Sequence, residues 1–216
     1  MNIYTYYQKV KGQSEEENLW LLDLWKKSWS YYGWNPIVLS SEDSKENPLY
    51  EKLYQKCIQY PTINSKEYEM ACYVRWLAFS LRGGWVNDYD IINYGFSPMD
   101  YGTDVLSLTG IMGGSTIAAP RSFYEKVVDT LINYEIDKNE NLIIINKRIF
   151  THVSDMTIMN SYLSPTKVIK IETYYGSEGY ENSLLVHYNA HHVSIKGMNR
   201  KNAIKSDPRA SKFLYE

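Results

Sequence analysis

Residues 75–90 read RWLAFSLRGGWVNDYD, which predicts a helix, a glycine break, a short strand and then two carboxylates one residue apart. In an extended segment the side chains of residues i and i+2 point to the same side. Asp88 and Asp90 can therefore present oxygen atoms to one point. Carboxylate oxygens in this arrangement suit a hard divalent cation such as Mg²⁺ or Mn²⁺.

The surroundings of this acidic pair favour a metal site over two solvated turn carboxylates. Gly83 and Gly84 allow the backbone to turn tightly, and the apolar Trp85 and Val86 precede the pair as a short strand would. The carboxylates thus follow the C-terminal end of a strand, where open α/β sheets place their ligands. Because such a cation commonly serves to hold substrate phosphates, a nucleotide-sugar enzyme is the leading hypothesis.

Alternating strand and helix patterns predict an α/β fold. Ile3–Tyr7 is rich in β-formers, Ser14 followed by Glu17 is a capping box that begins a helix, and a second long helix is predicted from Tyr68 to Leu81. The other predicted elements are strands at 34–40, 105–109, 117–119, 168–171 and 184–186, and helices at 49–58, 121–132 and 155–163. We therefore predict a central mixed, mostly parallel sheet flanked by helices.

The composition is that of an ordinary globular protein, with 44% hydrophobic and 22% charged residues in 216 positions. The load of 21 Tyr and 6 Trp is unusual, and such polar-tipped rings suit sugar faces and nucleobases as well as packing. Cys57 and Cys72 are the only cysteines, which argues against a disulfide framework. With neither a leader pattern nor a run of 18 apolar residues, we expect no transmembrane segment. A reducing compartment is expected, namely the cytoplasm of a bacterial cell or of a virus-infected host cell.

The formal charge of −2 is unevenly distributed along the chain. Residues 196–216 hold six Lys or Arg and two Asp or Glu, a charge of +4, which leaves −6 for residues 1–195. We predict one domain over residues 1–195 and a basic C-terminal tail or linker over residues 196–216. A second interpretation is that the basic segment forms a lip over an anionic ligand, or lies near a membrane or an acidic acceptor.

Histidines near the C-terminus are candidates for a further metal ligand. His187 closes the strand-like run 184–186, and a neutral imidazole is a common ligand. His191 and His192 follow within one short loop and compete for the role, so His191 is the alternative ligand. His152 is interpreted as structural.

The central motif resembles a known enzyme signature. Arg75, Leu81, Gly83-Gly84-Trp85 and Asp88-x-Asp90 are similar to the R…L…GG-x-Y-x-D-x-D pattern of glycosyltransferases with the DXD sugar-binding region. This GT-A group includes yeast initiating α-1,6-mannosyltransferases, clostridial toxin glucosyltransferases and small bacterial or viral sugar transferases. Three further segments are similar to the family. Ser28-Trp29 and Asn35-Pro36 resemble its SW…NP segment, and Val186-His187-Tyr188 resembles its I-H-Y. Residues 155–160 resemble its D-Q-D-x-L-N helix start.

The resemblance, which spans most of residues 1–195, implies a GT-A fold and the transfer of a sugar from a nucleoside diphosphate. It favours UDP over GDP as the carrier and a glycan or glycoprotein hydroxyl as the acceptor, and no nucleic-acid partner is expected. It implies Mn²⁺ or Mg²⁺ as cofactor. It also implies a catalytic Asp155, as base or as stabiliser of an oxocarbenium-like centre. The implied metal ligands are Asp88, Asp90 and His187, and the implied donor-binding residues are Thr5, Tyr6, Tyr7, Arg75 and Asp88.

Departures from the family pattern leave the donor sugar and other functions open. Cys72 stands where the family often has Asp, three residues before its Arg, and Met156 and Thr157 replace Gln and the second Asp of the helix motif. A non-catalytic sugar or nucleotide binding module is consistent with these substitutions and with the aromatic load. A metal-dependent phosphohydrolase is the other alternative, although Ile92 stands where its Asp-x-Asp-x-Thr pattern needs Thr.

Overall fold

Ten strands and nine helices are present in the computed structural model, which describes residues 1–108, 116–136, 141–145, 148–168, 182–195 and 197–214. The strands are β1 (Asn2–Tyr6), β2 (Asn35–Leu39), β3 (Gly84–Val86), β4 (Ile91–Asn93), β5 (Leu106–Ser107), β6 (Ile117–Ala119), β7 (Leu142–Ile145), β8 (Arg148–Thr151), β9 (Lys167–Val168) and β10 (Leu185–His187). The helices are α1 (Glu15–Tyr31), α2 (Ser41–Lys45), α3 (Tyr50–Cys57), α4 (Lys66–Arg82), α5 (Arg121–Asn133), α6 (Asp155–Tyr162), α7 (Ala190–Ile195), α8 (Arg200–Ser206) and α9 (Ser211–Leu214).

The central sheet has six strands in the order β2-β1-β3-β6-β5-β9. β1 pairs in parallel with β2 and β3, so that Ile3 lies opposite Pro36 and Trp85. β6 is antiparallel to β3 and β5, and β9 is parallel to β5. The prediction of a mixed, mostly parallel α/β sheet is confirmed. Two smaller antiparallel pairs, β4 with β10 and β7 with β8, complete the described strands.

Helices cover both faces of this sheet. On one face α3, α4, α5 and α6 bury an apolar cluster against Val86 and Ile117. On the other face the tryptophans of α1 pack against Ile3, Trp85 and Ala118. Strand residues that alternate between the two clusters explain why the short strands read as continuous apolar runs.

Both ends of α4 are set by local signals. Ser65 caps the helix by accepting a hydrogen bond from the amide of Tyr68 at 3.3 Å, so α4 begins at Lys66, two residues before the prediction. Gly83 ends it with φ of 66°, and a Cβ there would lie 3.0 Å from the backbone nitrogen of Arg121. Glycine is therefore required at this turn, which leads directly into β3 and the acidic pair.

The tryptophans of α1 and its C-terminal flank fix the segment that carries Asp88 and Asp90. The indole of Trp25 donates to Asn87 Oδ1 at 3.1 Å, that of Trp29 to the carbonyl of Ile91 at 3.0 Å, and that of Trp34 to the carbonyl of Phe96 at 2.8 Å. All three rings are buried. Their role is thus to pack and to position residues 87–96, rather than to provide exposed faces for a sugar.

The basic C-terminal segment differs from the predicted tail or linker. Its described residues, 197–214, form α8, a 3₁₀ turn at Pro208–Ala210 and α9. Ile204, Ala210 and Phe213 are buried against Leu21 and Leu24 of α1. Sequence patterning missed this because each element is too short to show a helical repeat.

Several predicted boundaries also differ from the structure. The region 41–66, predicted as a loop with one helix, contains both α2 and α3, since Ser40 and Asp43 form a capping box that begins α2. The strands predicted at 105–109 and 168–171 are two-residue β5 and β9 in their described parts, and residue 109 and residues 169–171 lie outside the described residues. No helix within the described ranges is both long and apolar enough to span a membrane.

Candidate functional site

Three potential metal ligands meet at one edge of the central sheet. Asp88 and Asp90 follow β3, and His187 ends β10, opposite Ile91 in the register of β4. One ligand atom from each of the three lies within 4.8 Å of those of the other two. The Nε2 atom of His187 is 3.2 Å from Oδ1 of Asp90, and the amide of Tyr188 donates to the carbonyl of Asp90 at 2.9 Å. The pairing of β10 with β4 therefore delivers the imidazole to the acidic pair.

The chemistry of this donor set fits a divalent cation. Asp90 and His187 are buried and Asp88 is half-buried, and buried carboxylates in contact need positive charge to offset their repulsion. Mn²⁺ and Mg²⁺ both accept carboxylate oxygens, and an imidazole nitrogen in the set favours the transition metal. Within the described part of the chain, this trio is the group whose geometry could hold a metal ion.

The electrostatics of the trio depend on burial and on two arginines. Burial raises the pKa of Asp88, an effect that the nearby Arg75 partly offsets. Burial also acts to raise the pKa of Asp90, but His187 and Arg200 outweigh it and lower that pKa. Burial opposes protonation of His187, yet Asp90 outweighs it and raises the pKa of the imidazole. Both shifts favour the charged forms of Asp90 and His187, whose side chains lie 3.2 Å apart.

Arg75 links the trio of Asp88, Asp90 and His187 to α6. Its guanidinium donates from Nη1 to Oδ1 of Asp88 at 2.9 Å and from Nη2 to Oδ2 of Asp155 at 2.7 Å. Burial opposes its charge, but Asp155 and Asp88 outweigh that cost and hold the pKa of Arg75 well above its usual value. Arg75, which the resemblance implied as a donor-binding residue, also lines the pocket described below.

Asp155 lies behind Arg75 rather than on the pocket wall. It is 3% exposed, and its Oδ2 also accepts a hydrogen bond from the indole of Trp76 at 2.8 Å. Its Oδ1 accepts from the amide of Met156 at 2.8 Å. With both oxygens engaged and no access to the pocket, Asp155 is placed to orient Arg75. This position does not suit the predicted role of a base for the acceptor.

A pocket of about 650 Å³ opens over the trio. Its walls come from the loop after β1, from the N-terminal half of α4, from the acidic pair and from residues around α7 and α8. The lining residues are Tyr6, Gln8, Val10, Lys11, Gly12, Gln13, Ser14, Glu17, Asn64, Ser65, Tyr68, Ala71, Cys72, Arg75, Asp88, Tyr89, Asp90, His187, Asn189, Ala190, His191 and Arg200. The size is that of a small-molecule site.

The predicted donor-binding residues of β1 reach this pocket only in part. Tyr6 lines it, and its hydroxyl donates to Gln8 at 2.9 Å. Thr5 is 0% exposed, and Tyr7 packs edge-on against Tyr89 with ring centroids 5.8 Å apart. Neither Thr5 nor Tyr7 lies on the pocket wall, because alternate strand residues point away from it.

Sequence reasoning missed Arg200, which enters the pocket from the segment predicted to be a tail. The only sequence signal for its role was the positive charge of residues 196–216, which supported the second interpretation of a basic lip over an anionic ligand. Cys72 also lines the pocket, one turn of α4 from Tyr68 and close to Arg75. One of the positions at which the chain departs from the glycosyltransferase pattern that it resembles is therefore part of the pocket wall.

The structure places His187 and His191 differently, so substitution of each should affect metal binding differently. His191 is exposed on the pocket wall, whereas His187 belongs to the trio. His187→Gln should weaken Mn²⁺ binding by at least about 100-fold, because it removes a direct ligand and the loss of supporting groups alone costs about 10- to 100-fold, and His191→Gln should change it by less than about threefold. Titration of both variants with Mn²⁺ measures this, and the reverse order would move the ligand to His191. The side chain of His192 lies outside the described residues.

His152 lies outside the pocket, beside a buried carboxylate. Its Nε2 is 4.0 Å from Oε1 of Glu69, and burial lowers the pKa of this imidazole. Glu69 is 3% exposed and accepts a hydrogen bond from Asn64 at 2.6 Å. Burial raises the pKa of Glu69, and the bond from Asn64 offsets this only in part.

A pH-dependent stability effect is predicted for Glu69. Because its pKa in the folded state exceeds that in the unfolded chain, folding favours the protonated carboxyl, and the parent loses stability as pH rises through this window. Glu69→Gln has no charge to bury, so its stability relative to the parent should be greater at pH 7 than at pH 4. Chemical unfolding at both pH values measures the difference. Glu67→Gln, an exposed change on the same helix, controls for the change in net charge. If Glu69→Gln differed from the parent in stability by the same amount at pH 4 and at pH 7, the prediction would be contradicted.

Comparison with known families finds one matching family, and its description names no activity. Residues 1–104 match a protein family described as a domain of unknown function (DUF8765). The match covers slightly less than half of the 216 residues. It includes Arg75, Asp88 and Asp90, and it ends before Asp155 and His187. No curated protein matches the chain.

Proposed function

We propose that this chain is a metal-dependent GT-A glycosyltransferase that moves a sugar from a nucleoside diphosphate, with UDP favoured, to a hydroxyl of a glycan or glycoprotein. The observation that carries the proposal is the trio Asp88, Asp90 and His187 at the base of a pocket at the carboxyl edge of parallel β1 and β3. Ligands bind at this edge of open α/β sheets. A diphosphate needs a cation there, and the trio supplies the ligands for one.

The composition of the pocket wall supports a sugar nucleotide as ligand. Arg75 and Arg200 place positive charge on the wall, which suits a diphosphate, and the trio would hold a cation that adds to this charge. Neutral polar side chains that suit sugar hydroxyls also line the wall, namely Gln8, Gln13, Ser14, Asn64 and Ser65. The rings of Tyr68 and Tyr89 are available for stacking on a sugar or base.

The mechanism assigns separate tasks to the residues of the site. Asp90, His187 and Asp88 would hold the divalent cation, which, when bound, supplies positive charge to neutralise the departing diphosphate. Arg75 orients Asp88 through its 2.9 Å bond. Asp155 acts as a positioning residue, because its contact is with Arg75 and not with the pocket. Pre-organised charge of this kind is commonly the largest catalytic contribution.

A non-catalytic nucleotide-sugar binding module is the second candidate. Asp155 is buried, and the carboxylates that do line the pocket, Asp88, Asp90 and Glu17, each face an arginine. In its described part the pocket wall therefore presents no unpaired carboxylate that could act as a base, which favours binding without catalysis. Turnover of a donor separates the two candidates. The phosphohydrolase alternative gains nothing, since Ile92, at the position where that class carries Thr, is fully buried in β4.

A thermal-shift panel of UDP-sugars and GDP-sugars, each with Mn²⁺ or with a chelator, tests the proposal. A ligand at 100 times its Kd adds about 2.7 kcal/mol to the stability of the folded state. For a chain of this size that corresponds to a rise in Tm of about 5–10 °C. We expect this rise with UDP-sugars and Mn²⁺, and its absence with every nucleotide would contradict the proposed function.

A further inference from the structure

A half-buried arginine from the C-terminal segment reaches the trio Asp88, Asp90 and His187. The side chain of Arg200 is 13% exposed and lines the pocket. Its Nη1 is 3.6 Å from Oδ2 of Asp90, while Oδ1 of the same carboxylate faces His187. The two oxygens of Asp90 thus face two different side chains, His187 and Arg200.

The position of Arg200 is fixed independently of Asp90. Its Nε donates to Oε1 of Glu17 at 3.3 Å, and its Nη2 donates to Oδ1 of Asn18 at 2.9 Å. Arg200 is also the first residue of α8, which Asn199 caps. The apolar side of α8, with Ala203 and Ile204, is buried against α1. An arginine held in this way presents its charge with little further loss of side-chain entropy.

The arginines of the pocket are not equivalent. Both terminal nitrogens of Arg75 make short bonds to carboxylates, at 2.9 and 2.7 Å. The contact of Arg200 with Asp90, at 3.6 Å, is longer than a hydrogen bond. Burial opposes the charge of Arg200, but Asp90, Tyr89 and Glu17 outweigh that cost and raise its pKa, so it stays charged. Of the two arginines on the pocket wall, Arg200 is therefore held less closely by the trio than Arg75.

We propose that Arg200 is the phosphate-binding cation of this pocket and that it competes with the divalent cation for Asp90. The proposal rests on the proposed function in that the ligand is a diphosphate. In the metal-free protein Arg200 offsets the charge of Asp90. When a divalent cation takes that carboxylate, the guanidinium becomes available to the phosphate oxygens, for which its planar set of donors is suited.

This proposal predicts effects of opposite sign for one substitution. Arg200→Gln removes a competing positive charge, so Mn²⁺ alone should bind about 3- to 10-fold more tightly. The same change removes a charge-assisted hydrogen bond, so diphosphate should bind the Mn²⁺-saturated protein about 10- to 100-fold more weakly. Arg200→Lys keeps the charge but not the fork, and should fall between the parent and Arg200→Gln. If Arg200 only anchored α8 on α1, Arg200→Gln would not strengthen Mn²⁺ binding while weakening diphosphate binding.

Isothermal titration with Mn²⁺ alone, and then with pyrophosphate, UDP and uridine at saturating Mn²⁺, tests the proposal. Lys201→Gln is the matched control, because Lys201 is the next residue of α8 and lies over Trp20, away from the pocket wall. It should leave every titration as in the parent. Uridine binding should be the same in the parent and in Arg200→Gln, since uridine carries no phosphate.

The outcomes distinguish this inference from the proposed function. If Arg200→Gln binds pyrophosphate and UDP as tightly as the parent, the role of Arg200 is overturned and the proposed function stands. If the parent binds pyrophosphate but not UDP, the proposed function fails, while the pyrophosphate comparison still decides the role of Arg200. If Arg200→Gln weakens Mn²⁺ and diphosphate binding together with a lower Tm, Arg200 is only structural. If the parent binds neither diphosphate, both proposals are wrong.

Discussion

Asp90→Asn should abolish Mn²⁺-dependent binding of UDP while the protein remains folded. Asp90 is the member of the trio that contacts both His187, at 3.2 Å, and Arg200, at 3.6 Å. The amide keeps the shape but removes the charge and one of the two oxygens that a divalent cation would use. We expect Mn²⁺ affinity to fall by at least about 100-fold, because a direct ligand matters more than the supporting groups whose loss costs 10- to 100-fold.

Titration of UDP in the presence of Mn²⁺ and unfolding by denaturant measure the two parts of this prediction. Asp23→Asn is the matched control, since Asp23 is an exposed acidic residue of α1 whose contact is with Lys27. Asp23→Asn should unfold at a denaturant concentration close to that of the parent, whereas Asp90→Asn, which removes the charge of a buried carboxylate that faces His187 and Arg200, should still fold but unfold at a lower one. UDP binding by Asp90→Asn at the parental affinity would show that the cation is held elsewhere.

Arg75→Met should lower the free energy of unfolding by about 3–5 kcal/mol, the cost of removing one partner from a buried ion pair. The side chain of Arg75 is 13% exposed, and its partner Asp155 is more deeply buried still. Methionine retains the apolar stem but leaves Asp88 and Asp155 without their shared cation. The loss should therefore come from uncompensated charge rather than from a cavity.

Arg82→Met provides the control for this prediction on the same helix. Arg82 pairs with Asp43 and Glu46 at the surface, and exposed pairs contribute at most about 1 kcal/mol. Denaturant unfolding of the two variants should therefore differ by several kcal/mol. Adding Asp155→Asn to Arg75→Met should restore part of the lost stability, since it removes one of the uncompensated charges. Equal stability of Arg75→Met and Arg82→Met would contradict the account of this network.

The elements that the sequence predicted well are those with local causes. Ser14 accepts a hydrogen bond from the amide of Glu17, as the capping pattern indicates, and α1 begins at the next residue. Gly83 ends α4 because its backbone angle and its approach to Arg121 both require glycine. Asp88 and Asp90 are close, as their spacing predicted, but the predicted extended segment is wrong, because residues 89 and 90 form a turn in which the amide of Ile91 donates to the carbonyl of Asp88 at 3.1 Å. Signals of this kind act within a few residues and can be read without knowledge of the tertiary structure.

The parts that could not be predicted depend on contacts between distant residues. Trp25 is 62 positions from Asn87, and Arg75 is 80 positions from Asp155. The aromatic load therefore gave no indication that the tryptophans position the site, and the helix motif gave no indication that Asp155 is buried against Arg75 and Trp76. Arg200 was missed for a related reason, because its burial depends on Glu17 and Asn18 at the other end of the chain.

Release of UDP from UDP-sugars tests the proposed glycosyltransferase most directly. UDP-glucose, UDP-galactose and UDP-N-acetylglucosamine are each incubated with the parent or with Asp90→Asn, with Mn²⁺ or with a chelator, and free UDP is measured. We expect that the parent releases UDP from at least one donor, that a chelator stops the release, and that Asp90→Asn shows none. Binding of UDP without release from any donor, including in the presence of glycan acceptors, would contradict catalysis and favour the binding module. Release that is equal in Asp90→Asn and the parent would contradict the assigned site.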